Sequence, residues 1–202
     1  CTLRNLRIER SGGMLVDEDS GILLKSRGNR LENNELDDVL FGIYLLGSDH
    51  NVIAGNVIRG RARLELGERG SGIHIWNSSD NLIERNRISR ARDGMYLQNA
   101  NRSRIRGNRI FELRYGLHYM SSDDNVFEDN VFESNVAGAA IMYSRRIILR
   151  RNRFVRNRGF SSFGALFQDR DECLAEDNVF ADNAVALGGA AALAHTTVPH
   201  GH

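Results

Sequence analysis

The chain has 202 residues, with 27 Lys and Arg against 26 Asp and Glu, and a formal net charge of +1. That balance excludes an electrostatic nucleic-acid binder, which needs a concentrated cationic surplus to neutralise phosphates. No apolar run approaches the ~18–20 residues of a membrane-spanning helix. The length suits one domain with a substantial core. There is one Pro but there are 20 Gly and 19 Asn; Asn is a turn residue, so this density asks for a turn that recurs at fixed intervals. Cys1 and Cys173 make neither a disulfide framework nor a zinc spacing. The chain opens on Cys rather than Met and carries no signal peptide, which points to a processed chain or a fragment.

In chain order, residues 1–8 read as the tail of a preceding coil, with Leu3, Leu6 and Ile8 apolar, and residues 9–20 as an insertion. Repeats then open at Gly21-Ile22-Leu23, Gly42-Ile43-Tyr44, Gly72-Ile73-His74, Gly94-Met95-Tyr96, Gly116-Leu117-His118, Gly138-Ala139-Ala140 and Gly164-Ala165-Leu166. The second Asn of each unit falls at Asn34, Asn56, Asn86, Asn108, Asn130, Asn152 and Asn178, spaced by 22, 30, 22, 22, 22 and 26 residues. The period is therefore 22, with extra residues at 59–71 and 158–163. Apolar residues alternate with period 2 over short runs, the mark of strands, and no stretch of the repeats has the 3.6-residue period of an amphipathic helix. Three short strands per repeat predict an all-β fold, a right-handed parallel β-helix of about seven to eight coils over residues 1–183, part of a longer solenoid. Residues 184–202 are expected to be a degenerate or disordered tail, with His195, His200 and His202 near its end. Cys1 and Cys173 would lie about seven coils, roughly 30 Å, apart, too far for a disulfide.

Four columns recur as apolar at each level: Ile43 to Ala165, Leu45 to Phe167, Ile53 to Ala175, and Ile58 to Phe180. They are the predicted core. The Asn column is read as a structural ladder, each amide bonding its neighbours along the stack, with Asn also suited to a left-handed corner. Alternation turns two columns of the first strand outward: Tyr44, His74, Tyr96, His118, Ala140, Leu166 and Leu46, Trp76, Gln98, Met120, Met142, Gln168. The expectation is an exposed strip, flanked by all three insertions, where the other outward positions carry ordinary charges such as Glu84, Arg106 and Glu128.

His118 and Met120 would project from one strand, with Met142 one coil away, roughly 5 Å along the stack. Imidazole plus thioether is a soft donor set that suits copper(I) and disfavours hard cations. His74, two coils from His118, would be a second station. The same strip also fits a buried protein interface, with Tyr44, Trp76, Tyr96, Gln98, Glu68 and Arg69 as partner-binding candidates. A third reading is a carbohydrate-binding or carbohydrate-active β-helix of the polysaccharide lyase or epimerase kind, with Trp76, Tyr96 and Tyr44 as a sugar platform. Such chemistry needs converging acid and base, whereas Asp37, Asp38, Asp93, Asp123 and Asp124 fall at corners of different coils.

The segments Gly42-Ile43-Tyr44-Leu45, Glu68-Arg69-Gly70-Ser71-Gly72-Ile73-His74-Ile75-Trp76-Asn77, Arg92-Asp93-Gly94-Met95-Tyr96, Leu113-Arg114-Tyr115-Gly116-Leu117-His118-Tyr119-Met120 and Ile141-Met142-Tyr143-Ser144 resemble the NosD family. Its members are periplasmic β-helix proteins that accompany an ABC transporter in maturing the copper sites of nitrous oxide reductase. The resemblance runs over about residues 2–183 and implies a non-catalytic accessory protein of denitrification. Its implied partners are the reductase and transporter subunits, and it has no tightly bound cofactor, handling copper(I) transiently or docking the reductase. It also implies export to the periplasm and a chain that is the central part of a longer one.

Overall fold

The computed structural model describes residues 1–160 and 162–189. Three parallel sheets of eight strands each run the length of the stack. The first begins at Thr2–Arg4 and ends at Leu174–Glu176; the second begins at Arg7–Glu9 and ends at Val179–Ala181. The third stacks Ser20–Leu24, Phe41–Leu46, Ile73–Trp76, Asp93–Gln98, Tyr115–Met120, Ala137–Arg145, Ala165–Asp171 and Leu187–Gly188. The expected all-β parallel solenoid is therefore present, with eight coils and a 22-residue period. Leu187 pairs with Ala165, so the stack reaches past residue 183. Residues 190–202, which hold most of the expected tail and its histidines, lie outside the described residues.

Register explains the repeat. Ile53, Ile83, Ile105, Phe127, Leu149 and Ala175 are direct partners in successive strands, and each is at most 1% exposed. Along the second sheet, Phe132, Phe154 and Phe180 stack face to face at 4.9 and 4.8 Å, one ring per coil. That spacing is the inter-strand distance itself, so a parallel stack makes aromatic stacking free of any side-chain rearrangement.

The Asn ladder forms as expected. Asn130 Nδ2 donates to Asn152 Oδ1 at 3.0 Å and to the Ile105 carbonyl at 2.9 Å. Its own Oδ1 accepts from both the backbone N–H and Nδ2 of Asn108. At this corner the amide groups are thus satisfied by the two neighbouring coils rather than by water. Two further ladders run beside it, one through Asn29, Asn51 and Asn81, the other through Asn135, Asn157 and Asn183. One expectation is corrected: the left-handed residue is not the ladder Asn but the one before it, as at Asn33, Arg85, Asp129, Arg151 and Asp177, with φ of 53–55°. The amide column needs extended backbone to aim along the stack, so the kink moves one residue earlier.

The Gly that opens each repeat answers to crowding between coils. A Cβ at Gly42 would lie 2.2 Å from the Gly72 carbonyl oxygen, and one at Gly138 would lie 2.2 Å from that of Gly164. Any larger residue would push adjacent coils apart at this corner.

Asn130→Ala would leave the buried Asn108 backbone N–H without its acceptor, while Asn108 Nδ2 keeps the Ile83 carbonyl. At about 1–3 kcal/mol for one stranded buried group, the expected loss is of that size, read as a lower urea midpoint with unchanged slope. Arg104→Ala, at an exposed position, is expected to change stability by less than about 0.5 kcal/mol.

Candidate functional site

The third sheet places the two predicted columns in register. Tyr44, His74, Tyr96 and His118 are successive partners, as are Leu46, Trp76, Gln98, Met120 and Met142. Their exposure differs from expectation. Tyr44 is only 4% exposed and His74 only 6%, while Trp76, Tyr96, Gln98, His118, Met120 and Met142 are half-buried. His74, Trp76, Tyr96 and His118 of the strip floor a cleft of about 360 Å³ walled by two of the insertions: Leu15 and Glu18 come from one, Arg69, Gly70 and Ser71 from the other.

Stacking at the coil spacing builds an aromatic column. The His74 ring lies 4.6 Å from Tyr44, 4.7 Å from Tyr96 and 5.5 Å from Phe41, with Trp76 nearly coplanar at 6.2 Å. Neither His74 ring nitrogen has a hydrogen-bond partner. Burial pushes its pKa down from 6.5 to about 4, only partly offset by Glu18 and Asp93, so the imidazole is neutral near pH 7. Burial pushes the Tyr44 hydroxyl up, reinforced by its hydrogen bond with Glu18. Tyr44 is therefore held beneath the first insertion and does not offer an open stacking platform.

One coil beyond Tyr96 stands His118, packed edge-on against Tyr96 at 4.9 Å and against Tyr115 at 5.2 Å. Its Nδ1 lies 3.2 Å from Asp93 Oδ2. Arg114 grips the same carboxylate with Nε at 2.9 Å and Nη2 at 2.7 Å. Burial raises the Asp93 pKa, but the hydrogen bonds from His118 and Arg114 outweigh it and hold the carboxyl below its ordinary range. From the sequence Asp93 figures only as one dispersed corner acid, and composition and spacing give Arg114 and Tyr115 no role. Carrying period-2 alternation back through Gly94 turns Asp93 inward, but the corner resets the alternation and delivers its carboxylate to an outward His on the next coil.

The methionines are direct register partners, Met120 opposite Met142. Tyr96 Oη sits 4.0 Å from Met120 Sδ and 2.5 Å from Gln98 Oε1, so Met120 and His118 both border Tyr96. His74 is kept apart from His118 by the intervening Tyr96 ring. Among the described residues no group of three or more His, Cys, Asp or Glu is placed to hold a metal. The donor set on the strip is therefore imidazole and thioether, which fits a soft monovalent cation and not a hard divalent one.

The remaining candidates serve the wall. Arg69 donates Nε to the Leu64 carbonyl at 2.8 Å and Nη2 to that of Ala62 at 2.8 Å, so it staples its own loop while lining the cleft. Glu68 is exposed and closes a short 3-10 turn through the Glu65 N–H. The acids named from sequence stay dispersed: Asp37 pairs with Arg59, Asp38 with Arg63, and Asp123 and Asp124 with Arg146.

The His74 environment has a pH signature. Below pH 6.5 the unfolded chain takes up a proton that the folded chain refuses until about pH 4, so folding stability falls as the pH drops through that window. The shift corresponds to about 3 kcal/mol. His74→Phe is expected to flatten the dependence by that amount, measured as urea midpoints at pH 7, 5.5 and 4; parallel curves for the two proteins would contradict it.

Solved structures with this fold include the DFA-IIIase of Arthrobacter chlorophenolicus A6, at 15% identity and a TM-score of 0.62 over 91% of this chain and 50% of that one. Pectate lyase Pel9A matches at 11% identity and a TM-score of 0.61 over 86% of this chain and 48% of that one. At such identities they share the solenoid alone. A protein of Pseudomonas aeruginosa named probable ABC transporter binding protein NosD is 32% identical over 95 residues, 46% of this chain and 22% of that protein. The protein of that name from Stutzerimonas stutzeri is 32% identical over 85 residues, 41% of this chain and 20% of that protein. The chain thus spans about a fifth of the length of these relatives, which are named as binding proteins. The family model described as periplasmic copper-binding protein (NosD) matches residues 55–197, beyond residue 183 where the sequence resemblance stops. With more than two thirds of its residues covered by that match, the chain belongs to the NosD family.

Proposed function

We propose that this chain is part of a periplasmic accessory protein that acts with an ABC transporter in maturing the copper sites of nitrous oxide reductase. It does so by handling copper(I) or by docking the reductase, without catalysing a reaction of its own. The observation that carries this reading is the outward imidazole–thioether strip in a chain of a family described as copper-binding. His118 and Met120 leave one strand two residues apart, and Met142 sits in register beside Met120. Copper is cargo here. His118 lines the cleft and the two methionines stand beside it in register; a few neutral soft donors of this kind suit copper(I). Trp76, Tyr96 and Gln98 border the same donors and would form the surface that meets a partner.

Titrating the protein with copper(I) against a competing chelator tests the reading. One equivalent is expected to bind, and the double variant His118→Ala/Met120→Ala is expected to lose at least about tenfold in affinity, with folding unchanged by circular dichroism. Binding that survives the double variant would remove the strip as the copper site, and absence of binding would leave only the docking role.

A further inference from the structure

The cluster of Asp93, Arg114 and His118 spans two coils, and Asp93 and Arg114 lie outside the donor set to which His118 belongs. Asp93 is 2% exposed, and both its oxygens are occupied by Arg114 in a bidentate grip at 2.9 and 2.7 Å. An ionised carboxylate is acceptor-only, so whatever faces it must donate. His118 Nδ1 is what faces it, at 3.2 Å from Oδ2. In a neutral imidazole only one nitrogen carries hydrogen. The proton is therefore on Nδ1, and the lone pair is on Nε2, for which no hydrogen bond exists among the described residues. The ring cannot easily turn away, because Tyr96 and Tyr115 pack edge-on against it from different strands.

We infer that Asp93, itself locked by Arg114, is the positioning residue that fixes the tautomer and rotamer of His118 so that Nε2 is presented as an open donor to a soft cation. A neutral histidine with no such partner exchanges its proton between the two nitrogens, and whenever the hydrogen sits on Nε2 that nitrogen is closed as a donor. Asp93 removes that ambiguity before any ion arrives. Arg114 cancels the carboxylate's charge, so the cluster orients the imidazole without adding a net negative charge that would recruit hard divalent cations. The inference rests on the copper reading for its ligand but not for its geometry.

Two measurements on the full chain separate the two. Long-range nitrogen–proton NMR correlations of His118 at pH 7.5, without metal, are expected to show hydrogen on Nδ1 in the wild type. In Asp93→Ala they are expected to shift toward hydrogen on Nε2. Wild-type hydrogen on Nε2, or a tautomer indifferent to Asp93→Ala, would overturn the inference whatever copper does. Competition titration with copper(I) is expected to show Asp93→Ala weakened about 10–100-fold, with Asp93→Glu recovering part of the loss. Tautomer switching with unchanged copper affinity would overturn the positioning role. If the wild type binds no copper, the copper reading falls, while the NMR result still decides whether Asp93 sets the tautomer. Arg114→Gln, which leaves the carboxylate in place but frees it to rotate, is expected to give an intermediate tautomer ratio. It also serves where Asp93→Ala fails to fold.

Discussion

Everything in this molecule hangs on the requirement that adjacent coils stay one strand spacing apart at every corner. Parallel strands satisfy that on the flat faces through their ladder hydrogen bonds. At the corners backbone bonds between coils continue on either side, as from Arg85 N–H to the Arg106 carbonyl and from Arg109 N–H to the Asn86 carbonyl, while the N–H of the ladder Asn itself is taken by the next buried amide. An Asn side chain carries both an acceptor and a donor, so a column of them can hand each coil's corner to the next without leaving a residual group. Ser fills the same office in part: Ala100 N–H donates to Ser122 Oγ, and Ser122 N–H to Ser144 Oγ. The opening Gly column completes the constraint, since the carbonyl of the following coil occupies the space a side chain would need.

Once coils are held at that spacing, the outer face of a sheet becomes a surface on which like side chains must meet. Charges do so by alternating sign, as in the pairing of Arg102 with Asp80, Arg146 with Asp124 and Arg151 with Asp129, each joining neighbouring coils. These are exposed and worth little individually. The third sheet uses rings instead. A column of Tyr, His, Tyr and His at ring spacings of 4.6–4.9 Å gives a rigid apolar wall with polar edges. Walling it with insertions turns a flat strip into a cleft; across the 59–71 insertion the third sheet keeps its register, Ile43 opposite Ile73, and the second sheet takes up a register shift between Leu36 and Val39.

Much of this was legible in the residues. The columns, the ladder of Asn34 to Asn178 and the candidate strip all follow from a fixed linear period, because a solenoid turns linear spacing directly into spatial neighbourhood. What stayed hidden depends on departures from the period. The burial of Tyr44 and His74 beneath Leu15 and Glu18 could not be read from a repeat that those insertions interrupt. Asp93 was noticed only as one acid among several at corners, since its partnership with His118 runs across a coil boundary and through a reset of alternation. A sharper signal existed: Asp93, Arg114 and His118 lie 21 and 25 residues apart, close to one period.

The charge arithmetic of the cleft bears on what it can hold. Arg114 neutralises Asp93, Glu18 is engaged with Tyr44, and Arg69 and Arg92 also line the cleft. The field at the mouth is thus neutral to positive, which repels divalent cations and leaves recognition to covalent softness. A monovalent thiophilic ion suffers least from that field and gains most from thioether sulfur. The methionine side chains bring flexibility, whereas His118 is fixed by three neighbours. Under the copper reading proposed above, His118 would be the rigid donor and Met120 and Met142 the adaptable ones, an arrangement that would let an ion change partners without the protein moving.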